Sequence, residues 1–290
     1  MKKIKNMHII FDYIYKYYMN NYIYKMSNGY VSVHIQGGLG NQIYQISAAL
    51  NYANKYNKEL IFCDDDISPS LSPSHGYTVW KTLFNNHFKL LSKEEYNNIN
   101  FNKESDNNTY VNGNVQLFGY YEEFRNISEY SKNYIYNIIC SSDLYLNAKI
   151  FYIKLKILFN DEDDNNYCFI HVRRGDYISI LNYTTDIEYF NNSYNYINNL
   201  NNNTKFFLFS DDLEWCKNNI KYKNLYYIDH INDHKIEFIL MTLFKNAIID
   251  SSTFSWWGAY FGDNKNIIIA PKKHRVHNPS DIYPNNWITL

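Results

Sequence analysis

The chain has 290 residues, 46% of them hydrophobic, and a formal net charge of -1 at pH 7. This length predicts one large domain or two domains of ordinary size, each with its own core. The nearly neutral charge gives no electrostatic reason to expect binding to nucleic acid or to an acidic membrane surface.

The N-terminal residues 1–29 form a segment with a basic start and no apolar centre of the kind found in signal peptides. We interpret it as an extension, either loosely ordered or a short helix lying on a membrane or a partner. No stretch of the chain approaches the roughly 20 apolar residues of a membrane span. The four cysteines lack C-x-x-C spacing and are typical of reduced thiols. We therefore expect a cytoplasmic protein that is not secreted, with peripheral membrane contact left open.

The first predicted unit is a strand, a glycine loop and a helix. Residues 31–35 are β-rich, the loop is Gly37-Gly38-Leu39-Gly40-Asn41-Gln42, and apolar residues then recur at helical spacing. Glycines allow a backbone to approach an anion closely, although a tight turn explains them equally well. No Lys-Ser/Thr pair follows, and Ile43 occupies the third glycine position of G-x-G-x-x-G, so the loop is neither a Walker A loop nor a dinucleotide fingerprint.

The rest of the first half predicts a looser alternation of strands and helices. We expect strands at 59–63 and 115–119, loops with one or two helices over 68–108, and a largely helical segment over 130–158. The three aspartates at 64–66 are typical of a solvated loop. An acidic, asparagine-rich stretch at 160–166 marks the predicted domain boundary.

The second half alternates regularly. Strands are predicted at 167–172, 206–210, 225–228, 247–250 and 266–270, and helices near 187–199, 212–220, 235–245 and 254–262. This alternation predicts a parallel sheet with helices on both faces. The fold class is thus α/β, with two Rossmann-like domains facing each other across a cleft. The extension covers 1–29, the N-terminal domain 30–160 and the C-terminal domain 161–290.

The stretch His171-Val172-Arg173-Arg174-Gly175-Asp176 follows a short apolar run that predicts a buried strand. Ligands bind beyond the carboxyl ends of strands in such sheets. Two guanidinium groups there suit a diphosphate, because each binds phosphate oxygens with two N–H groups. Asp176 would hold one arginine and leave the other for the ligand. The alternative is a purely structural Arg–Asp network.

Two further predicted strand ends carry polar side chains. Asp211 and Asp212 follow the strand at 206–210, where a carboxylate would accept hydrogen bonds from a guanine edge, or where Asp211 with Glu214 would form a capping box. A cluster of hydroxyls, Ser251-Ser252-Thr253, precedes another helix and predicts either an anion site or a simple N-cap. No D-x-D pair stands at a convincing strand end, so we expect no metal.

Four segments occur in the order of a known set of motifs: GGLGNQIYQISAAL, HVRRGDY, SDDLEWCK and IDSSTFSWWGAYF. Together they resemble the α-1,2-fucosyltransferase family, and LFGYYEEF at 117–124 is similar to that family's segment between the first two motifs. The resemblance covers about residues 30–270.

The resemblance implies a GT-B fold and transfer of L-fucose from GDP-β-L-fucose to the 2-hydroxyl of a terminal galactose, with inversion and without a metal or other cofactor. Arg173, as the more essential of the pair, and Arg174 would bind the diphosphate, and His171 and Asp176 would shape the same site. Asp211 or Asp212 would face the guanine. The remaining donor-side residues implied are Gly38, Gly40, Asn41, Gln42, Ser251, Ser252 and Thr253.

The acceptor side is expected around Tyr120, Glu122 and Glu123. Two departures from the family pattern occur: Asp250 stands where many relatives carry asparagine, and Glu122-Glu123 where a glutamine–serine pair is common. Inversion needs a base for the acceptor proton, and the candidates are Glu122, Glu123, Asp176 and His34. Alternatives to the galactoside reaction are another sugar or protein acceptor, or a catalytically silent sugar-nucleotide- or glycan-binding protein.

Overall fold

The computed structural model describes residues 27–64, 83–84, 87–179, 182–274 and 278–290. Most of the predicted N-terminal extension lies outside the described residues, as do Asp65, Asp66 and part of the 68–108 segment. The described chain forms two separate sheets, and every strand pairing in them is parallel.

The N-terminal sheet has five strands in the order β3-β2-β1-β5-β4. Its strands are β1 (Tyr30–Val33), β2 (Glu59–Cys63), β3 (Lys89–Leu91), β4 (Phe101–Glu104) and β5 (Asn114–Leu117). The expectation of only loops and helices over 68–108 was wrong, because β3 and β4 lie there. Both are short edge strands with partly or fully exposed side chains, so they lack the apolar run that marks a buried strand.

Helices α1 (Leu39–Tyr56) and α2 (Lys93–Asn97) belong to this sheet's connections. The predicted helical segment at 130–158 is two helices, α3 (Glu129–Cys140) and α4 (Asp143–Phe159). The break occurs where the Ser142 side chain accepts a hydrogen bond from the Tyr145 N–H at 3.1 Å. A serine at this position caps the new helix by satisfying an N–H that has no partner within the helix.

The C-terminal sheet has six strands in the order β11-β10-β9-β6-β7-β8. Its strands are β6 (Tyr167–Val172), β7 (Lys205–Ser210), β8 (Leu225–Tyr227), β9 (Asn246–Ile248), β10 (Ile268–Ala270) and β11 (Ile288–Thr289). Strand β6 lies inside the sheet and is buried along its whole length. The five predicted strands are confirmed; the two-residue β11 was not predicted.

The helices of this half are α5 (Gly175–Ser179), α6 (Ile187–Leu200), α7 (Leu213–Asn219), α8 (His234–Leu243), α9 (Thr253–Tyr260) and α10 (Pro279–Ile282). Helix α9 packs against α1 of the N-terminal half. The Tyr44 ring lies 5.2 Å from that of Trp256 and 4.8 Å from that of Trp257. Since α1 follows β1 and α9 follows β9, the carboxyl ends of the two sheets face each other, as the sequence predicted.

All four cysteines are free thiols. Across the described residues, no helix combines the length and hydropathy that crossing a membrane requires.

Candidate active site

Arg173 stands immediately after β6, and its guanidinium group contacts two carboxylates. One terminal nitrogen lies 2.6 Å from Asp176 Oδ1 and the other lies 2.9 Å from Asp211 Oδ2. Asp176 belongs to α5, whereas Asp211 follows the neighbouring strand β7. Adjacent parallel strands thus bring the two predicted motifs together at one sheet edge.

Arg174 is held by different partners. Its Nε lies 3.1 Å from Asp212 Oδ2, and its guanidinium carbon lies 3.6 Å from the centre of the Trp215 ring. This stacking fixes the plane of the guanidinium group, since arginine commonly packs flat on an aromatic ring. The expectation that one arginine would be left unpaired by protein was wrong, because the aspartates after β7 pair with both. Trp215 was missed: a tryptophan in the first turn of a helix carries no signal of its own.

Asp211 and Asp212 divide two tasks. Asp212 Oδ1 accepts a hydrogen bond from the Trp215 N–H at 3.1 Å and caps α7. Asp211 Oδ1 accepts from the backbone N–H of Arg174 at 2.8 Å. The N-cap is therefore Asp212 in a simple cap, and the alternative of an Asp211–Glu214 capping box was wrong. The interpretation in which one aspartate caps the helix while its neighbour binds another group matches this arrangement. Contact of either carboxylate with a guanine base stays a prediction.

Gly175 permits the close approach of β6 and β7 beyond their ends. A Cβ atom at this position would lie 2.6 Å from Asp211 Oδ2, which is well inside van der Waals contact. Any side chain here would displace the carboxylate that binds Arg173. The glycine between the arginines and Asp176 is thus a steric requirement of the site.

Asp250, at the end of β9, is buried and accepts three hydrogen bonds. Its donors are the Arg173 N–H at 2.7 Å, the Ser251 N–H at 2.6 Å and the Thr185 hydroxyl. Burial raises the pKa of Asp250 to about 6, against the opposing effect of these donors. The residue that departs from the family pattern therefore positions the backbone of Arg173, a role that sequence reasoning missed.

The hydroxyl cluster stands at the start of α9, with Ser251 and Ser252 buried. Ser252 occupies the N-cap position, but its side chain accepts no capping hydrogen bond. The Ser251 carbonyl accepts from the Tyr177 hydroxyl at 3.0 Å. The N-capping alternative therefore does not account for the serines, and the amides at the start of α9 keep the donor character that suits an anion.

Thr253 connects the two domains. Its hydroxyl donates to Asn41 Oδ1 at 2.6 Å. A Cβ atom on Gly40 would lie 2.4 Å from the carbonyl carbon of Thr253, so only glycine fits between α1 and α9. Gly38 is the N-cap residue of α1, and the Gln42 side chain donates to the Gly37 carbonyl at 2.8 Å. The glycine loop thus permits domain contact as well as forming a turn.

A small recess of about 10 Å³, room for roughly one water molecule, lies where the two halves meet. Its lining residues are Tyr44, Asp250, Ser252, Thr253, Trp256, His274, Ile282 and Tyr283. The Tyr283 hydroxyl is buried and has no hydrogen-bond partner among the described residues. Buried hydroxyls are nearly always satisfied, so this one indicates a polar ligand or water in the recess. Sequence reasoning gave no role to the C-terminal segment that supplies it.

His171 is buried in β6, with its ring 5.7 Å from that of Phe254. Burial, and secondarily the charge of Arg173, lower the pKa of His171 to about 3. The imidazole is therefore neutral at physiological pH and a poor proton acceptor. Its position fits the expectation that it shapes the site around Arg173; its role in catalysis stays a prediction.

The four base candidates occupy different environments. Glu122 is buried and close enough to Tyr44 that its charge adds to burial in raising the pKa of that tyrosine. Glu123 is partly buried and forms an ion pair with the exposed Arg125. Asp176 is engaged by Arg173, as described above.

The remaining acceptor-side positions are more open. The His34 ring stacks on Phe118 at 5.1 Å. Tyr120 is 47% exposed, so it is accessible to a large ligand. Among the candidates, Glu122 is the buried carboxylate whose charge acts on Tyr44, a residue that lines the recess.

Two parallel α/β domains with their strand ends facing each other, and paired arginines at one of those ends, define a glycosyltransferase of the GT-B class. The chain belongs to glycosyl transferase family 11, whose family model matches residues 3–290. The predicted family and fold class are both confirmed.

Individual relatives support this assignment. The chain is 28% identical to the alpha-1,2-colitosyltransferase of Escherichia coli, over 90% of this chain and 98% of that protein. It is 24% identical to the galactoside 2-alpha-L-fucosyltransferase SEC1 of Bos taurus, over 38% of this chain and 33% of that protein. The NodZ alpha-1,6-fucosyltransferase structure with GDP superposes with a TM-score of 0.54 at 12% identity, over 88% of this chain and the whole of that one.

Proposed function

We propose that this glycosyltransferase moves L-fucose from GDP-β-L-fucose to the 2-hydroxyl of a terminal galactose or a similar hexose, with inversion and without a metal. The observation that carries the proposal is the pair of guanidinium groups after β6, beside the hydroxyl-rich start of α9. This combination suits a leaving diphosphate, whose growing charge it offsets. The name of SEC1 supports fucose as the sugar, and the names of SEC1 and of the alpha-1,2-colitosyltransferase both support the linkage.

Donor binding would exchange partners within the arginine cluster. Asp176, Asp211 and Asp212 now bind the two arginines. These carboxylates hold the guanidinium groups in place, but their charge opposes a diphosphate. We infer that the diphosphate takes over part of the Arg173 fork, which releases Asp211 to accept hydrogen bonds from the guanine edge. Since each guanidinium carries five N–H donors, Arg173 can bind phosphate while it keeps Asp176.

In the reaction, the acceptor oxygen forms a bond to the anomeric carbon of fucose as the bond from that carbon to the diphosphate breaks. The hydroxyl proton leaves to a base, and the electron pair of the broken bond stays with GDP. Glu122 is our proposed base, since it is a buried carboxylate whose charge acts on Tyr44, and Tyr44 lines the recess. Asp176 is bound to Arg173, so we assign it the structural role of holding that arginine and not the role of base.

A second candidate differs only in the sugar transferred. The similarity to the colitosyltransferase extends over 90% of this chain, so a colitosyl group is the alternative to fucosyl. A different acceptor sugar, a protein acceptor and a catalytically silent binding protein are the further alternatives.

The decisive experiment is incubation of purified protein with GDP-fucose, in EDTA, with a panel of galactosides. We expect GDP release that depends on the galactoside, and linkage analysis of the product should show substitution at the 2-hydroxyl. GDP binding without transfer would favour another donor sugar, another acceptor or a silent protein. Failure to bind GDP would refute the assignment of the arginine site, and loss of activity in EDTA would refute metal independence.

A further inference from the structure

Helix α4 (Asp143–Phe159) presents a row of large apolar side chains to solvent. Leu146 is 57% exposed, Ile150 44%, Ile153 45% and Ile157 68%. Their spacing of four, three and four residues places them on one face of the helix. We call these four residues the α4 stripe.

The opposite face of the same helix is already used. Ala148, Tyr152 and Leu155 are buried in the core, and the Tyr152 ring lies 5.2 Å from that of Phe244. The helix is therefore apolar on both sides. A helix of this kind is normally buried all round, so the exposed α4 stripe needs a partner that the protein's own core does not supply.

Two further apolar side chains are exposed near the C-terminal end of the helix, although they lie off the face of the α4 stripe. Leu158 is 73% exposed. Tyr226 of strand β8 is also exposed, and its ring lies 4.6 Å from that of Phe159. Four large apolar side chains exposed on one helix face are uncommon on a monomeric soluble protein, and such a patch marks an interaction site.

Charge identifies the kind of partner. Lys149 and Lys154 are exposed and flank the α4 stripe on its two sides, by the 100° step of a helix. The single acidic residue in the helix sequence is Asp143, in the first turn. Four acidic residues at 161–164 follow the helix, and of these Asp161 pairs with Lys205, and Glu162 and Asp164 pair with Lys156. An apolar row with basic side chains along both borders is the arrangement by which a helix lies in the surface of an anionic membrane.

We propose that the α4 stripe docks this enzyme on an anionic lipid surface, independently of which sugar it transfers. The isoleucines and leucine would enter the boundary of the acyl chains, and the two lysines would contact lipid phosphates. The chain's net charge of -1 does not predict this, because the positive charge is local to one helix. A symmetric contact between two copies is disfavoured, since the lysines of both stripes would meet without acidic partners on the helix face.

The test uses the full-length protein and flotation with vesicles of phosphatidylcholine, with or without phosphatidylglycerol. We expect binding to the anionic vesicles and its loss at high salt. The double variant Ile153→Gln/Ile157→Gln should bind at least about tenfold more weakly, because it removes apolar contact. The double variant Lys149→Gln/Lys154→Gln should lose about fivefold per lysine, and only on anionic vesicles.

The matched control is Leu200→Gln, which removes a 62% exposed leucine at the end of α6, and it should bind as the wild type does. Circular dichroism establishes that each variant is folded, and the single change Ile157→Gln replaces the double variant if the latter unfolds. Unchanged vesicle binding in the folded stripe variants would overturn the proposal, and would move the contact to another part of the chain, such as residues 1–29. A dimer that the stripe variants dissociate, with no vesicle binding, would also overturn it.

Discussion

The Asp250 carboxylate accepts a hydrogen bond from the backbone N–H of Arg173 at 2.7 Å. This contact joins the end of β9 to the turn after β6, so the residue that begins the hydroxyl cluster also sets the position of the arginine. Because burial raises the pKa of Asp250 to about 6, the contact weakens in mild acid: a protonated oxygen no longer accepts from all three donors.

We therefore predict an acid limb near pH 6 in the kcat/KM of the wild-type enzyme that is absent in Asp250→Asn. Asparagine can still accept from the Arg173 N–H, but its NH2 group then replaces the oxygen that accepts from both the Ser251 N–H and the Thr185 hydroxyl. The loss at neutral pH should be below about tenfold, as for one hydrogen bond, whereas Asp250→Ala should lose on the order of a hundredfold. A wild-type acid limb that persists in Asp250→Asn would assign it to another group.

Removing the cationic fork should abolish transfer. We expect Arg173→Ala to lower kcat by at least about a thousandfold, because the leaving diphosphate loses its charge-assisted hydrogen bonds. Arg173→Lys should recover little, since an ammonium group cannot bridge Asp176 and Asp211 as the fork does.

The control for this pair is Lys217→Ala, which breaks the exposed Lys217–Asp229 ion pair of 2.9 Å and should leave kcat unchanged. Measurement of GDP release and of thermal unfolding on the same samples separates loss of chemistry from loss of fold. Full activity in a folded Arg173→Ala protein would contradict the phosphate assignment.

The sequence predicted most of the C-terminal domain because its strands are apolar runs bounded by polar loop residues. Strand β6 was placed with its exact ends, since every residue from Tyr167 to Val172 is buried. Strands β3 and β4 were missed because edge strands bury few side chains and therefore need no apolar pattern. The pattern of apolar residues in a sequence indicates which residues are buried, so it predicts a strand only when the strand is buried.

The same reasoning explains which parts of the site were found. Arg173 and Arg174 were recognised because two adjacent cations directly after a buried strand are uncommon, and because they belong to a known motif. The partners that hold them, above all Asp250, are far away in sequence. Their roles depend on strand order, which local pattern does not encode, so a departure from the family pattern was visible but its consequence was not.

Gly40 gives a test of the contact between the domains. Since a Cβ atom there would lie 2.4 Å from the Thr253 backbone, Gly40→Ala should force α1 and α9 apart. We expect a lower melting temperature and a loss of kcat/KM of at least about a hundredfold, because a small misplacement of reacting groups has effects of this size. Gly119→Ala is the control: its Cβ would meet the Tyr121 side chain at 3.1 Å, and a ring can shift. Equal effects of the two changes would contradict a special role for the α1–α9 contact.

The buried His171 should make stability depend on pH. Its pKa is about 3 in the folded protein and about 6.5 in an unfolded chain, so the unfolded state takes up a proton first as the pH falls. Stability from this group is complete above pH 6.5 and is lost towards pH 3, by about 2 kcal/mol at pH 5. Asp250 acts in the opposite sense, since its raised pKa removes stability as the pH rises through 6.

The test is to measure the free energy of unfolding by urea titration at pH 7 and at pH 5. For the wild type, the value at pH 7 should exceed the value at pH 5, and this excess should be about 2 kcal/mol larger than the one measured for His171→Gln. The control His230→Gln removes an exposed histidine whose side chain is 78% accessible. If His171→Gln keeps the wild-type difference, folding does not lower the pKa of His171. The imidazole would then take up a proton between pH 7 and pH 5 in the folded protein as it does in the unfolded chain, and its neutrality beside Arg173 would be refuted.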